Sequence, residues 1–174
     1  TLPIVFAWSP EGGPTSLMRL DYALGALFSA LVAYETIADN QMYAYQTRKY
    51  ELVKAGAIKL HRTKAKKKLS RDYYEVGFIT SGLWALSRHP NYFAEQSIWC
   101  IFYMFSVATT GKYINPSILG SILLLTLFQG SAQFSETITA GKYPLYKQYC
   151  IAIPCFIPNP FAKRMELTVK ASYE

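Results

Sequence analysis

At 174 residues the chain is long enough for one domain, yet 51% hydrophobic residues against only 17% charged ones argue against an ordinary water-soluble fold, where charged residues make up roughly 25%. Aromatic residues reach 16%, with 14 tyrosines, and such amphipathic rings favour a membrane–water boundary as well as ligand sites. The net charge of +7 is concentrated in one stretch, where Lys54, Lys59, Arg62, Lys64, Lys66, Lys67, Lys68 and Arg71 follow one another with no acid between them. A short basic connection beside apolar segments is a positive-inside signature, which places loop 54–71 on the cytosolic face. Its position between apolar spans speaks against nucleic-acid binding, and no nucleic-acid partner is expected.

Taken in chain order, Thr1 to Trp8 reads as the end of a partial N-terminal span, broken by Ser9-Pro10-Glu11-Gly12-Gly13-Pro14. Leu17 to Tyr34 is the first complete span, since eighteen nearly unbroken apolar residues approach the ~20 that cross a hydrocarbon core. Without Gly or Pro from Glu35 to Arg48, the helix is expected to continue into water. Phe93 to Thr110 forms a second span and Ser117 to about Phe134 a third, the two joined as an antiparallel hairpin by Gly111-Lys112-Tyr113-Ile114-Asn115. Pro116 suits the first turn of the third helix. Beyond it, Pro154, Pro158 and Pro160 exclude a helix and predict an extended, packed tail. The expected fold is therefore all-α: a multi-pass transmembrane bundle of three complete spans in one domain over residues 1–174. The chain reads as the C-terminal part of a longer protein.

Cys100, Cys150 and Cys155, with only two histidines, make neither an even disulfide framework nor a Cys-x-x-Cys pair. Reduced thiols and no metal site are expected. The richest segment is Ser87-Arg88-His89-Pro90-Asn91-Tyr92. Pro90 sets the start of a helix and restrains His89 to an extended backbone. Arg88 beside free N–H groups at a helix N-terminus offers an anion site. Asn91 presents a donor and an acceptor, and Tyr92 a stacking face. Glu95 lies four residues after Asn91 on the same helical face, and an acid just inside a span is a functional candidate. Read without function, Arg88 and His89 anchor headgroups and Asn91 caps a helix. Glu136 is expected to fold back near Glu95, and Tyr143, Tyr146 and Tyr149 at spacing three share one helical stripe, which equally suits an aromatic belt.

These residues carry a resemblance. Gly82-Leu83-Trp84, followed by Ser87-Arg88-His89-Pro90-Asn91-Tyr92-Phe93-Ala94-Glu95, resembles the signature of the steroid 5-alpha-reductase-like membrane family. Glu35, Ala38, Asp39 and Gln41 upstream, and Ser135-Glu136, Tyr143-Pro144, Tyr146 and Ile157-Pro158 downstream, are similar to the same pattern. The resemblance covers roughly residues 17 to 160; the wider superfamily includes sterol reductases and, more distantly, isoprenylcysteine carboxyl methyltransferases. It implies cytosolic loops that form an NADPH pocket, and hydride transfer to a double bond of a sterol or other lipid. By position, Asp39, Arg88, His89, Asn91, Tyr92, Glu95, Glu136 and Tyr143 would bind the cofactor. The family's catalytic acid comes from earlier spans, so no catalytic residue is assigned. Thr137 to Gly141 stand where the family pattern carries basic residues.

Three functions follow as expectations: an NADPH-dependent lipid reductase; a methyltransferase using S-adenosylmethionine; and an inactive relative serving as a structural subunit of a membrane complex. Membrane lipid and a lipid substrate are the expected partners, with other subunits under the third reading. The endoplasmic reticulum is the expected membrane and the mitochondrial inner membrane the alternative.

Overall fold

The computed structural model describes residues 19–58 and 74–162. The partial N-terminal span and most of the basic loop lie outside the described residues. Among the described residues the fold is all helical: α1 (Arg19–Lys54), α2 (Pro90–Thr110), α3 (Ile118–Lys142) and α4 (Tyr146–Ala152), with 3₁₀ turns at Tyr74–Val76 and Gly82–Ala85.

The expected continuation of the first span is observed, because α1 runs unbroken for 36 residues. At 1.5 Å per residue that is about 54 Å, well beyond a hydrocarbon core of ~30 Å. Among the described residues two helices, α1 and α3, are long and apolar enough to cross a membrane. The expectation of three such spans is corrected. Helix α2 has the length, 21 residues, but Glu95 and Gln96 near its start and Tyr103, Ser106, Thr109 and Thr110 towards its end lower its apolar character.

The chain divides into two compact units: Thr1–Thr36 with Asn91–Ser131, and Ile37–Pro90 with Ala132–Glu174. In the first unit, α2 and α3 form the predicted hairpin. Gly111, at φ +66, ends α2 and its N–H returns to Val107 O at 2.8 Å, a left-handed closure that glycine adopts without a Cβ penalty. The turn is held by a buried polar knot. Ser106 Oγ donates to Asn115 Oδ1 at 3.2 Å, Ser117 N donates to the same oxygen at 3.1 Å, and Ser117 Oγ donates to Ser106 Oγ at 3.0 Å. Further along, Ser121 Oγ donates to Trp99 O at 3.0 Å and the Tyr92 and Phe128 rings meet at 4.6 Å. Leu119, Leu123 and Leu127 form an exposed stripe on α3 at helical spacing, as a lipid-facing surface requires.

In the second unit, α1 turns the face Ala38, Gln41, Met42, Tyr45 and Lys49 inward. Ala38 and Lys49 are almost fully buried. Trp84 Nε1 donates to Ala38 O at 3.0 Å and Leu83 N donates to Gln41 Oε1 at 2.9 Å. Pro144 ends the helical run after Lys142, and α4 begins two residues later. The Tyr143–Tyr146–Tyr149 spacing is realised around one ring, since Phe78 lies 6.2, 5.0 and 5.4 Å from the three in turn, although Tyr143 precedes α4. Phe78, Val76, Tyr146, Tyr149 and Ile153 make the core of this unit.

Candidate functional site

A cluster of polar side chains in the second unit is built on Glu136, on the last turns of α3. Arg88 Nε donates to its Oε1 at 2.6 Å and Arg88 Nη2 to its Oε2 at 3.3 Å. His89 Nε2 lies 3.0 Å from Oε1. The thiols Cys155 Sγ and Cys150 Sγ approach the two carboxylate oxygens at 3.8 and 4.0 Å. Arg88 also donates through Nη1 to Cys150 O and Ile153 O, both at 2.7 Å. Four of its five N–H bonds are thus taken.

The tail closes over the same residues. Arg88 N donates to Pro154 O, His89 N to Cys155 O and Asn159 N to Leu86 O, each at 2.9 Å. Ser87 Oγ donates to Cys155 O at 3.1 Å and Phe156 O at 2.7 Å. The extended, packed tail is therefore present. Residues 154–159 have no helix of their own in which to satisfy their carbonyls, and they take up the N–H groups of Arg88 and His89 just ahead of α2.

The electrostatics follow from burial and from Glu136. Burial works against the Arg88 charge, but the hydrogen bonds and charge of Glu136 outweigh it and raise the arginine pKa further. Burial lowers the His89 pKa below its usual value, with Arg88 adding to the effect and Glu136 opposing it. A neutral imidazole facing a carboxylate must carry its proton on Nε2, so His89 donates. Burial, and then the charge of Glu136, raise the pKa of the Cys150 and Cys155 thiols, which stay protonated. The arrangement is a carboxylate ringed by donors, well suited to bracing two distant chain segments. It leaves Arg88 little capacity for an external anion.

A family model described as "Protein of unknown function (DUF1295)" matches residues 1–152. The chain belongs to this family. It is a steroid 5-alpha-reductase-like family, in line with the likeness carried by Ser87 to Glu95. The chain is also 33% identical over 144 residues to an uncharacterized protein of Schizosaccharomyces pombe, a match covering 80% of this chain and 39% of that protein. It thus spans about two fifths of the curated relative it matches. No solved structure matches it.

Of the residues that the family pattern singles out, Arg88, His89 and Glu136 come together. In the same unit, Asp39 faces outward on α1, and the Tyr143 ring lies 5.8 Å from Lys49 Nζ in a separate cluster. Asn91, Tyr92 and Glu95 belong to the first unit. There, Glu95 Oε1 accepts from Trp99 Nε1 at 3.0 Å, one turn along α2. Tyr92 packs edge-on against Phe128.

Sequence reasoning missed two contributors. Lys49 is 2% exposed, donates to Gly77 O at 3.1 Å and has Tyr45, Tyr50 and Tyr143 rings around its ammonium, so cation–π attraction and a carbonyl meet its charge. Its signal in the sequence was a lysine in register with Ala38 and Tyr45. Cys150 and Cys155 were the other omission; their placement either side of Pro154 within the family's tail marked them.

Proposed function

We propose that this chain forms part of a membrane-embedded, NADPH-dependent reductase that saturates a double bond in a sterol or another lipid. The reading rests on one observation: residues from several separated segments that carry the family likeness meet in the second unit. Ala38 and Gln41 hold Trp84 and Leu83, Arg88 and His89 hold Glu136, and the tail holds Ser87 and Leu86. In this reading the chain is a multi-pass protein of the endoplasmic reticulum with loop 54–71 on the cytosolic side, and lipids are its partners and substrates.

The residues fit the cofactor unequally. Arg88 and His89, already committed to Glu136 and the tail, suit a brace behind a cofactor rather than a phosphate clamp. On the family likeness, Asp39, Asn91, Tyr92, Glu95 and Tyr143 carry polar groups of the kinds that meet ribose hydroxyls and amides. The cofactor would supply the hydride. Thermal-shift titration of the detergent-purified chain with NADPH, with NADH and S-adenosylmethionine run in parallel, tests the reading. Stabilisation by NADPH is expected, weakened about tenfold in apparent affinity by Glu95→Gln, which removes one charge-assisted hydrogen bond. Absence of any NADPH response at millimolar concentration overturns it, and a response to S-adenosylmethionine alone makes the chain a methyltransferase.

One observation favours a second reading, a structural subunit of a membrane complex: the commitment of the Arg88 guanidinium to Glu136 and to the carbonyls of Cys150 and Ile153. In that case Glu136→Gln would impair assembly with other subunits while no cofactor stabilised the chain.

A further inference from the structure

We propose that Glu136, His89, Cys150 and Cys155 together bind one zinc ion. The proposal is independent of the reductase reading and rests on ligand geometry, on charge and on the surrounding hydrogen bonds.

His89 Nε2, a Glu136 oxygen and Cys155 Sγ lie within 4.8 Å of one another. In detail, the histidine nitrogen is 3.0 Å and the Cys155 sulfur 3.8 Å from Glu136 Oε1, and the Cys150 sulfur is 4.0 Å from Oε2. A tetrahedral zinc site with bonds of ~2.0–2.3 Å places its ligand atoms roughly 3.3–3.8 Å apart. Cys150 lies outside the His89–Glu136–Cys155 triplet, and rotation of its side chain towards Glu136 Oε2 would bring it in as the fourth ligand. The chemical types are those zinc selects: one imidazole, two thiolates and a carboxylate.

Arg88, beside the carboxylate, would ordinarily repel a cation. Here it balances the charge. Without metal, the Glu136 carboxylate and the Arg88 guanidinium cancel while both thiols are neutral. On binding, zinc displaces the two thiol protons to solvent and the His89 proton moves to Nδ1. Two positive charges replace two protons, so the net charge of this half-buried cluster is unchanged and no uncompensated charge is buried. Arg88 then acts as the outer partner that orients the ligating carboxylate, itself anchored on Cys150 O and Ile153 O. Cys155 comes from the tail, Cys150 from α4, Glu136 from α3 and His89 from the residues just ahead of α2, so the ion would staple the same junction that Arg88 braces.

The test uses the whole detergent-purified chain, reduced, stripped with a chelator and carrying His61→Gln so that one imidazole remains. Cobalt(II) titration is expected to reach one equivalent, with the visible spectrum of tetrahedral cobalt and a thiolate-to-metal charge-transfer band, both removed by added zinc. Cys150→Ser and Cys155→Ser should each weaken binding by more than about tenfold, whereas Cys100→Ser, a thiol of the other unit, leaves it unchanged. Near-ultraviolet circular dichroism confirms that each variant stays folded. An independent readout needs no substitution in the site: zinc should protect two of the three thiols from alkylation. The proposal is overturned if no charge-transfer band forms, if the band persists in the Cys150→Ser/Cys155→Ser double variant, or if zinc leaves all three thiols reactive. NADPH titration of the metal-free protein is scored separately, so failure of either reading leaves the other standing.

Discussion

The Arg88–Glu136 brace yields the sharpest prediction, a double-mutant cycle of Arg88→Gln and Glu136→Gln. The two side chains are 13% and 19% exposed, so the pair lies between an exposed ion pair, worth under ~1 kcal/mol, and a fully buried one, where losing a partner costs roughly 3–5 kcal/mol. Glu136→Gln leaves the guanidinium with two carbonyls and no counter-charge, and sets an amide N–H against neighbouring donors. A loss of about 2–3 kcal/mol follows. Arg88→Gln leaves the carboxylate with His89 and two thiols, at a similar cost, and also loosens Cys150 O and Ile153 O. The double variant strands neither charge, so the two losses should fall short of additivity by about 2 kcal/mol, roughly thirtyfold in the folded-to-unfolded ratio. The measurement is reversible unfolding in mixed micelles of increasing SDS content, followed by tryptophan emission; Trp84 is buried in the same unit. Limited proteolysis of the single variants should cut first in the tail around Pro158. Additive losses, or a coupling under about 0.5 kcal/mol, would refute the brace.

Three further substitutions probe the rest of the frame. Gly77 sits at φ +89 and a Cβ there would lie 2.0 Å from Tyr143 Cε1, so Gly77→Ala should cost about 2–4 kcal/mol. Adding Tyr143→Ala should make Gly77→Ala cheaper without abolishing its effect, because the backbone strain remains. Asn115→Ala removes the acceptor shared by Ser106 and Ser117 and should destabilise the α2–α3 turn by about 1–3 kcal/mol, seen as faster amide exchange at residues 111–118. Tyr149→Phe loses the hydroxyl that donates to Trp84 O and should cost about 1–1.5 kcal/mol, with a change in Trp84 emission. Lack of any such change would mean that the hydroxyl is not engaged.

Local pattern carried much of the fold. Absence of Gly and Pro after Tyr34 made α1 continuous, Gly111 and Pro116 marked the hairpin, Pro144 stopped α3, and Pro154, Pro158 and Pro160 kept the tail extended. Each of these acts on its own few residues, through backbone geometry that needs no partner. The count of membrane-crossing helices was less legible, because α2 combines adequate length with Glu95, Gln96 and a hydroxyl-rich end, and length alone does not measure apolarity.

The site divides in the same way. Arg88, His89 and Glu136 stood out in the sequence as candidate site residues, with Glu136 expected beside Glu95. Whether Arg88 would reach outward to an anion or inward to an acid was decided only by the tertiary structure. Glu136 is 48 residues away from Arg88, and the carbonyls that complete its guanidinium come from residues 150 and 153. Those carbonyls are free because α4 ends and prolines follow. No local rule pairs them with residue 88. The sequence by itself determined which chemical groups this protein holds and where its helices start and stop. Only folding decided which of those groups satisfy one another, since a buried charge takes whichever partners the chain brings within about 3 Å.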